Sequence, residues 1–384
     1  MILASTLYYP NVGGVENSLS HLSHEFKRLG YRPWLLVSTG GDTNATGRGF
    51  EVVRMRGVPV LRYKFSSLAL VRLLRAWWGL RLLRRRFDVD AMVSRDQHSA
   101  VAAVLERQPC VYLVPGIHSE QHKPEGVNPL RWLNHLSSVA LQRAALRWAP
   151  RVAVFSQAMA EAVECEAGRT EVELVKPGVE VTRFTVLDSE RRNEGRHRLG
   201  LPVDARIAVA VGRFSHQKRF DLALASLQRL PEDWHLVLAG DGPLRSELER
   251  QVEELELRRR VTFTGQVSDP ETYLQVADVF VLTSDYEPFG QVLLEAMACG
   301  LPVAAFDPEL PGVDTATNEV VPEEWFFKAK RKDAEALSAA MAEAVGAGCE
   351  PERIAQWTRE RYSWAALASD LVRLGSKKRE VAHA

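Results

Sequence analysis

At 384 residues the chain is too long for one ordinary hydrophobic core and fits two domains of roughly 150–200 residues each. Its 46% hydrophobic and 26% charged residues are those of a soluble globular protein, and 49 basic against 49 acidic side chains leave no net field for nucleic acid. The four cysteines, Cys110, Cys165, Cys299 and Cys349, are scattered without metal or redox spacing and read as reduced thiols. No uncharged apolar run reaches membrane-spanning length and no signal peptide is recognised, so a cytoplasmic protein is expected.

In chain order, the first half offers the apolar runs ILAST, PWLLVS, FEVVRM, VDAMVS, CVYLV, RVAVFS and VELVK. Helix-like stretches such as ENSLSHLSHEFKRLG and SAVAAVLER separate most of them. Val52–Phe87 contains ten bases and no acid. Within it Leu70, Leu73, Leu74, Trp77, Trp78 and Leu82 recur near helical spacing, so residues 62–87 suggest contact with an anionic membrane surface. An ordinary packing helix with solvated arginines, or a basic groove for an anionic acceptor, fits the same pattern.

A Pro–Gly turn in ELVKPGVEVTRF and the charged stretch DSERRNEGRHRLG mark a boundary. The second half restarts with IAVAVGRF, WHLVLAG, RVTFTG, VFVLTS and PVAAF. Buried β-branched runs alternating with helices predict parallel sheets covered on both faces, hence two Rossmann-like domains with a ligand cleft at the strands' carboxyl ends. The expected limits are 1–185 and 186–362, with 363–384 a helix and tail that could pack back on the first domain.

The loops after these strands hold the candidate chemistry. Gly13 and Gly14 open a helix after the first strand, where free N–H groups and the helix dipole favour an anion. Arg213 and Lys218 follow IAVAVG and could together neutralise a diphosphate leaving group. Gly240 follows WHLVLA, and Gln266 follows RVTFTG where exposed backbone could meet a flat base. In YEPFGQVLLEAMACG, Glu287 lies at a strand's end, Gly290 opens a helix, and Glu295 sits just over one turn into it. Carboxylates so placed accept hydrogen bonds from sugar hydroxyls.

Together VGRFSHQK, LAGDGP, ADVFVLTSDYEPFGQVLLEAMACGLPV, YYPNVGGVE, VFSQAM and VKPGVEVTRF resemble, in order, the motifs of the retaining GT-B glycosyltransferases of family 4. That resemblance implies an α/β GT-B fold whose two Rossmann-like domains face a central cleft. It implies transfer of a sugar, with retention, from a nucleotide-diphosphate sugar to a hydroxyl of a glycan or glycolipid. The donor would sit mostly on the C-terminal domain. Arg213 and Lys218 would neutralise the diphosphate, with Gly14 approaching from the other domain. Glu287 would contact the transferred sugar and Glu295 the ribose, while Phe289, Gly290 and Gln291 present backbone to sugar and phosphate. No bound metal and no cofactor is expected, the nucleotide sugar being a substrate, and the acceptor suggests a peripheral position at the inner face of a membrane.

Two departures stand out. Pro115 occupies the place of a family histidine in LVPGIHSEQH, leaving His118 as the candidate replacement and His98 as a further one. DPELPGVDTATNEVV stands where relatives carry a Gly-rich donor loop followed by Glu. The competing readings are a silent nucleotide-binding protein, or an epimerase or phosphorylase on the same scaffold.

Overall fold

The computed structural model describes residues 1–5, 14–39, 50–55, 57–117, 119 and 129–376. The chain divides into two compact units, Met1–Gly178 with the segment from Trp364 onward, and Val179–Ser363. The charged stretch 188–200 therefore lies inside the second unit, where residues 189–198 form a helix, and the chain crosses between units at Gly178–Val179 and again at Ser363–Trp364.

The first unit is built on an eight-stranded sheet ordered β3-β4-β2-β1-β5-β6-β7-β8. These are β1 (Ile2–Ser5), β2 (Trp34–Thr39), β3 (Phe50–Met55), β4 (Val58–Lys64), β5 (Met92–Ser94), β6 (Cys110–Leu113), β7 (Arg151–Val154) and β8 (Glu173–Leu174). All pairings are parallel except β3–β4, a hairpin. Its helices are α1 (Gly14–Arg28), α2 (Ala69–Arg86), α3 (Gln97–Leu105), α4 (Pro129–Trp148) and α5 (Gln157–Ala167).

The second unit carries an all-parallel sheet ordered β11-β10-β9-β12-β14-β16. Its strands are β9 (Arg206–Val211), β10 (Trp234–Ala239), β11 (Val261–Gly265), β12 (Val279–Leu282), β14 (Val303–Phe306) and β16 (Phe326–Ala329). A separate two-residue pair joins β13 (Tyr286–Glu287) to β15 (Asp314–Thr315). The helices used below are α6 (Ser189–Arg198), α7 (Phe220–Gln228), α8 (Arg245–Glu254), α9 (Gln291–Ala298), α10 (Ala334–Gly346) and α11 (Pro351–Arg361).

Strands such as IAVAV and WHLVLA are buried because helices cover both faces, which is why they read as unbroken apolar runs. Leaving aside the β3–β4 hairpin at the first sheet's edge, the strand order of the sheets reverses between β1 and β5 and between β9 and β12, and such switch points are where open α/β sheets bind ligands. The last helix, α12 (Trp364–Ser376), packs on α1 of the first unit. Trp364 stacks on His21 at 4.9 Å, and Leu367, Leu371 and Leu374 enter the core around β1, β5 and β6.

Truncating fully buried Leu371 to Ala in this helix is expected to destabilise the first unit by about 2–5 kcal/mol through the lost apolar burial and the cavity left behind. Urea unfolding checks this; an unchanged midpoint contradicts the packing of α12.

Candidate active site

The second unit concentrates the predicted residues at its switch point. Following β9, Gly212, Arg213 and Phe214 lead into a single 3-10 turn, His216–Lys218, that ends at Lys218. Following β12, the chain runs Thr283–Asp285 into β13, where Glu287 stands. The Lys218 ammonium donates to Oε2 of Glu287, both side chains being largely covered.

That contact is built on a fixed frame. Thr283 Oγ1 donates to the Lys218 carbonyl at 2.5 Å, and the Asp285 N–H donates to the Gln217 carbonyl at 2.8 Å. Asp285 also meets Lys332 at 2.8 Å and Arg219 at 3.6 Å, and Arg219 grips Asp221 through two nitrogens. On the other side of Glu287, its carbonyl accepts from the Ala316 N–H at 3.0 Å. Arg213 is exposed and makes no ion pair with another described residue, so its guanidinium is available to an anion.

Three strand ends converge beside this pair. The Gly212 N–H donates to the Ala239 carbonyl and the Gly240 N–H to that of Gly265. Gly240, at φ +146°, passes so near Gly212 that a Cβ there would lie 1.9 Å from the Gly212 carbonyl oxygen. Any side chain would therefore push the β9 and β10 ends apart. Gln266 is exposed just beyond β11.

Gly290 adopts φ +77° at the N-cap of α9, where a Cβ would press Glu287 Cγ at 3.0 Å and Leu293 at 2.9 Å. No side chain caps this helix start. Gln291 is its first residue, and Phe289 just before it in sequence is buried. Glu295, in the second turn, is half-buried. Burial pushes its carboxyl up to about 8, with Glu271 and Glu180 adding to the rise and Arg183 opposing it. Arg183 itself pairs with Glu271 at 2.5 Å, which holds its guanidinium pKa above the ordinary value.

In the first unit, Gly14 is the first residue of α1 after β1. Gly13 and His118 lie outside the described residues. His98 is buried at the start of α3, beside β5. Asp96 caps that helix, accepting from the His98 and Ser99 N–H groups at 2.8 and 3.0 Å, and lies 3.2 Å from His98 Nδ1. Burial alone would raise the Asp96 carboxyl, but the hydrogen bond and charge of His98 and the Ser99 bonds hold it down to about 2. Among the described residues no group of three or more His, Cys, Asp or Glu could hold a metal ion.

The sequence reading passed over Arg183, Glu271, Asp285 and Arg219. Arg183 and Glu271 are separated by 88 positions, so no spacing could announce them. Arg219 follows Lys218 directly and Asp285 lies two residues before Glu287, yet their roles appear only once β9 and β12 are known to be neighbours.

The description Glycosyltransferase Family 4 matches residues 12–183, and Glycosyl transferases group 1 matches residues 191–361. Alpha-D-kanosaminyltransferase of Streptomyces kanamyceticus is 31% identical over 286 residues, 66% of this chain and 71% of that protein. Alpha-monoglucosyldiacylglycerol synthase of Streptococcus pneumoniae is 24% identical over 313 residues, 79% of this chain and 70% of that protein. The structure of Anabaena HepE in complex with UDP and glucose superposes with a TM-score of 0.75 at 20% identity, over 98% of this chain and 99% of that one. The chain belongs to the glycosyl transferases group 1. Its fold is GT-B, and it is a glycosyltransferase.

The raised Glu295 pKa sets a pH dependence. Its unfolded carboxyl loses its proton near the ordinary value of 4.5, whereas the folded one keeps it to about 8. Between those values the unfolded chain binds fewer protons, so this group makes stability fall as pH rises. Glu295→Gln is therefore expected to melt above the wild type at pH 8 and to converge with it near pH 5. Parallel melting profiles across that range would remove the assignment.

Proposed function

We propose that the chain transfers a sugar, with retention of anomeric configuration, from a nucleotide-diphosphate sugar to a hydroxyl of a glycan or glycolipid. The observation that carries the reading is the Lys218–Glu287 pair at the β9/β12 switch point, with the exposed Arg213 beside it. HepE, of the same fold, binds UDP and glucose, and the synthase from Streptococcus pneumoniae is named for a glycolipid product.

In this reading Arg213 and Lys218 meet the charge that the departing diphosphate acquires, a task that here needs no metal. The open start of α9 faces a phosphate or sugar oxygen with backbone N–H groups. Glu295 accepts from the ribose hydroxyls. Glu287, already engaged by Lys218, holds the transferred sugar by its hydroxyls and is not the nucleophile. The acceptor oxygen attacks the anomeric carbon on the face the diphosphate leaves. The carbon–oxygen bond to phosphate breaks with its electron pair remaining on phosphate, and a phosphate oxygen takes the acceptor proton.

Titration calorimetry with UDP, GDP, ADP and their sugar conjugates tests the donor site. One nucleotide should bind to the wild type, and Arg213→Ala/Lys218→Ala should weaken it by about 100-fold, the loss of two charge-assisted contacts of about 1.5 kcal/mol each. Undiminished binding in the double variant contradicts the assignment. Because an ionised Glu295 is the better acceptor, affinity should also rise between pH 6 and pH 9 in the wild type and stay flat in Glu295→Gln. Once an acceptor is in hand, an inverted product by NMR would overturn retention.

A further inference from the structure

The structure gives the basic segment two faces. Ala69, Ala76, Gly79, Leu80 and Leu83 turn α2 inward, with Leu73, Trp77 and Leu82 half-buried beside them. Leu70, Leu74 and Trp78, spaced by four, form an outward stripe that is 59%, 60% and 49% exposed. It spans about 12 Å of helix. A packing helix would turn this stripe inward, so core formation does not explain it.

The stripe is not alone. The Ala69 N–H donates to Asn134 Oδ1 at 2.8 Å, and Arg72 reaches Ser138, so the first half of α2 is tied to α4. On α4 the residues flanking Asn134 are exposed too: Leu133 at 63% and Leu136 at 58%. Two adjoining helices thus present leucines and a tryptophan to solvent, an area that single scattered apolar residues do not produce.

Neither α2 nor α4 contains an acidic residue, although exposed Asp88 and Asp90 follow the end of α2. Lys64, Arg85 and Arg86 are exposed. Arg81 and Arg84 are held by Glu106, while Arg81 also covers Trp77 at 4.8 Å, which leaves Trp78 as the outward ring. No helix among the described residues is long and apolar enough to cross a membrane.

Location completes the case. Helix α2 follows β4 and α4 follows β6, and both strands run parallel to β1. Both helices therefore begin at the carboxyl-end rim of the first sheet, the rim at which α1 also begins.

We propose that the outward face shared by α2 and α4 docks on an anionic lipid surface, so that α2 lies along the headgroups from its start at the carboxyl-end rim to Arg85 and Arg86 at its other end. The leucines and Trp78 enter the interface while Lys64, Arg85 and Arg86 meet lipid phosphates. The proposal builds on the reading of a glycolipid acceptor, which such docking would deliver to that rim.

Sedimentation with vesicles tests it on the full chain. Wild type should bind phosphatidylcholine vesicles containing about 30% phosphatidylglycerol, bind pure phosphatidylcholine vesicles far less, and release as salt rises from about 0.1 to 0.5 M. Leu70→Ser/Leu74→Ser/Trp78→Ser, and separately Leu133→Ser/Leu136→Ser, should each weaken binding about tenfold or more. Leu29→Ser, exposed just beyond α1 on the opposite face of the first sheet, should leave it unchanged. Wild type that stays in the supernatant overturns the proposal, as does wild-type binding by either α2 or α4 variant. A wild-type dimer that becomes monomeric in the α2 variant, without vesicle binding, assigns the face to a second copy and overturns it too. Nucleotide titration of the same samples separates the two readings: intact nucleotide binding with no vesicle binding sinks only the docking face, and the reverse sinks only the donor site.

Discussion

The contact between Lys218 and Glu287 is where the second unit's topology becomes chemistry. The two residues are 69 positions apart and meet because β9 and β12 lie side by side at the reversal of strand order. A salt bridge between two long side chains contributes little when both are free to wander. Here neither loop wanders, because two backbone carbonyls of the lysine turn accept from Thr283 and Asp285 of the other loop. Asp285 in turn balances Arg219 and Lys332. Side chains locked by surrounding hydrogen bonds hold a productive geometry that mobile loops cannot. The pairing of β13 with β15 extends the frame to the segment around Asp314.

Much of this was legible in the residues. The parallel sheets announced themselves as unbroken β-branched runs, and the loops carrying Arg213, Lys218 and Glu287 were identifiable as strand ends. Strand β4 was not, because VPVLRYK lies in the basic stretch and its alternation was absorbed into the charge pattern. Its partners, β2 on one side and β3 on the other, are contacts that no local window contains. Helix α2 was seen, but its faces were not. Leu73, Trp77 and Leu82 belong to the inner half and Leu70, Leu74 and Trp78 to the outer, a division set by what packs beneath. The passage between units was placed at the charged stretch after residue 185, but polar composition there reflects a surface helix of the second unit. The return of α12 to the first unit depends on Trp364 finding His21, a pairing set by tertiary contact.

In the first unit a buried polar cluster stands just after β5, at the start of α3. His98 and Asp96 form a buried cap, with Ser99 Oγ 2.6 Å from Asp96 Oδ2 and 2.5 Å from Ser94 Oγ. An aspartate that accepts two backbone N–H bonds, a hydroxyl and an imidazole is satisfied, and its low pKa records that satisfaction. The cluster therefore fixes the start of α3 beside the β1/β5 switch point.

Glu295 is the opposite case. Its carboxyl is half-buried near Glu271 and Glu180, and Arg183 is already committed to Glu271, so the charged form is poorly supported. A protein gains no stability from such an arrangement; an apolar residue in the same helix position would avoid the penalty. Arg213 has the complementary lack, an exposed guanidinium that no carboxylate of another described residue meets. On the proposed reading, a ligand that brings hydroxyl donors to the first and an anion to the second would meet both needs. A ribose joined to a diphosphate has those two chemistries in one molecule, whereas a free sugar or a free phosphate would meet only one.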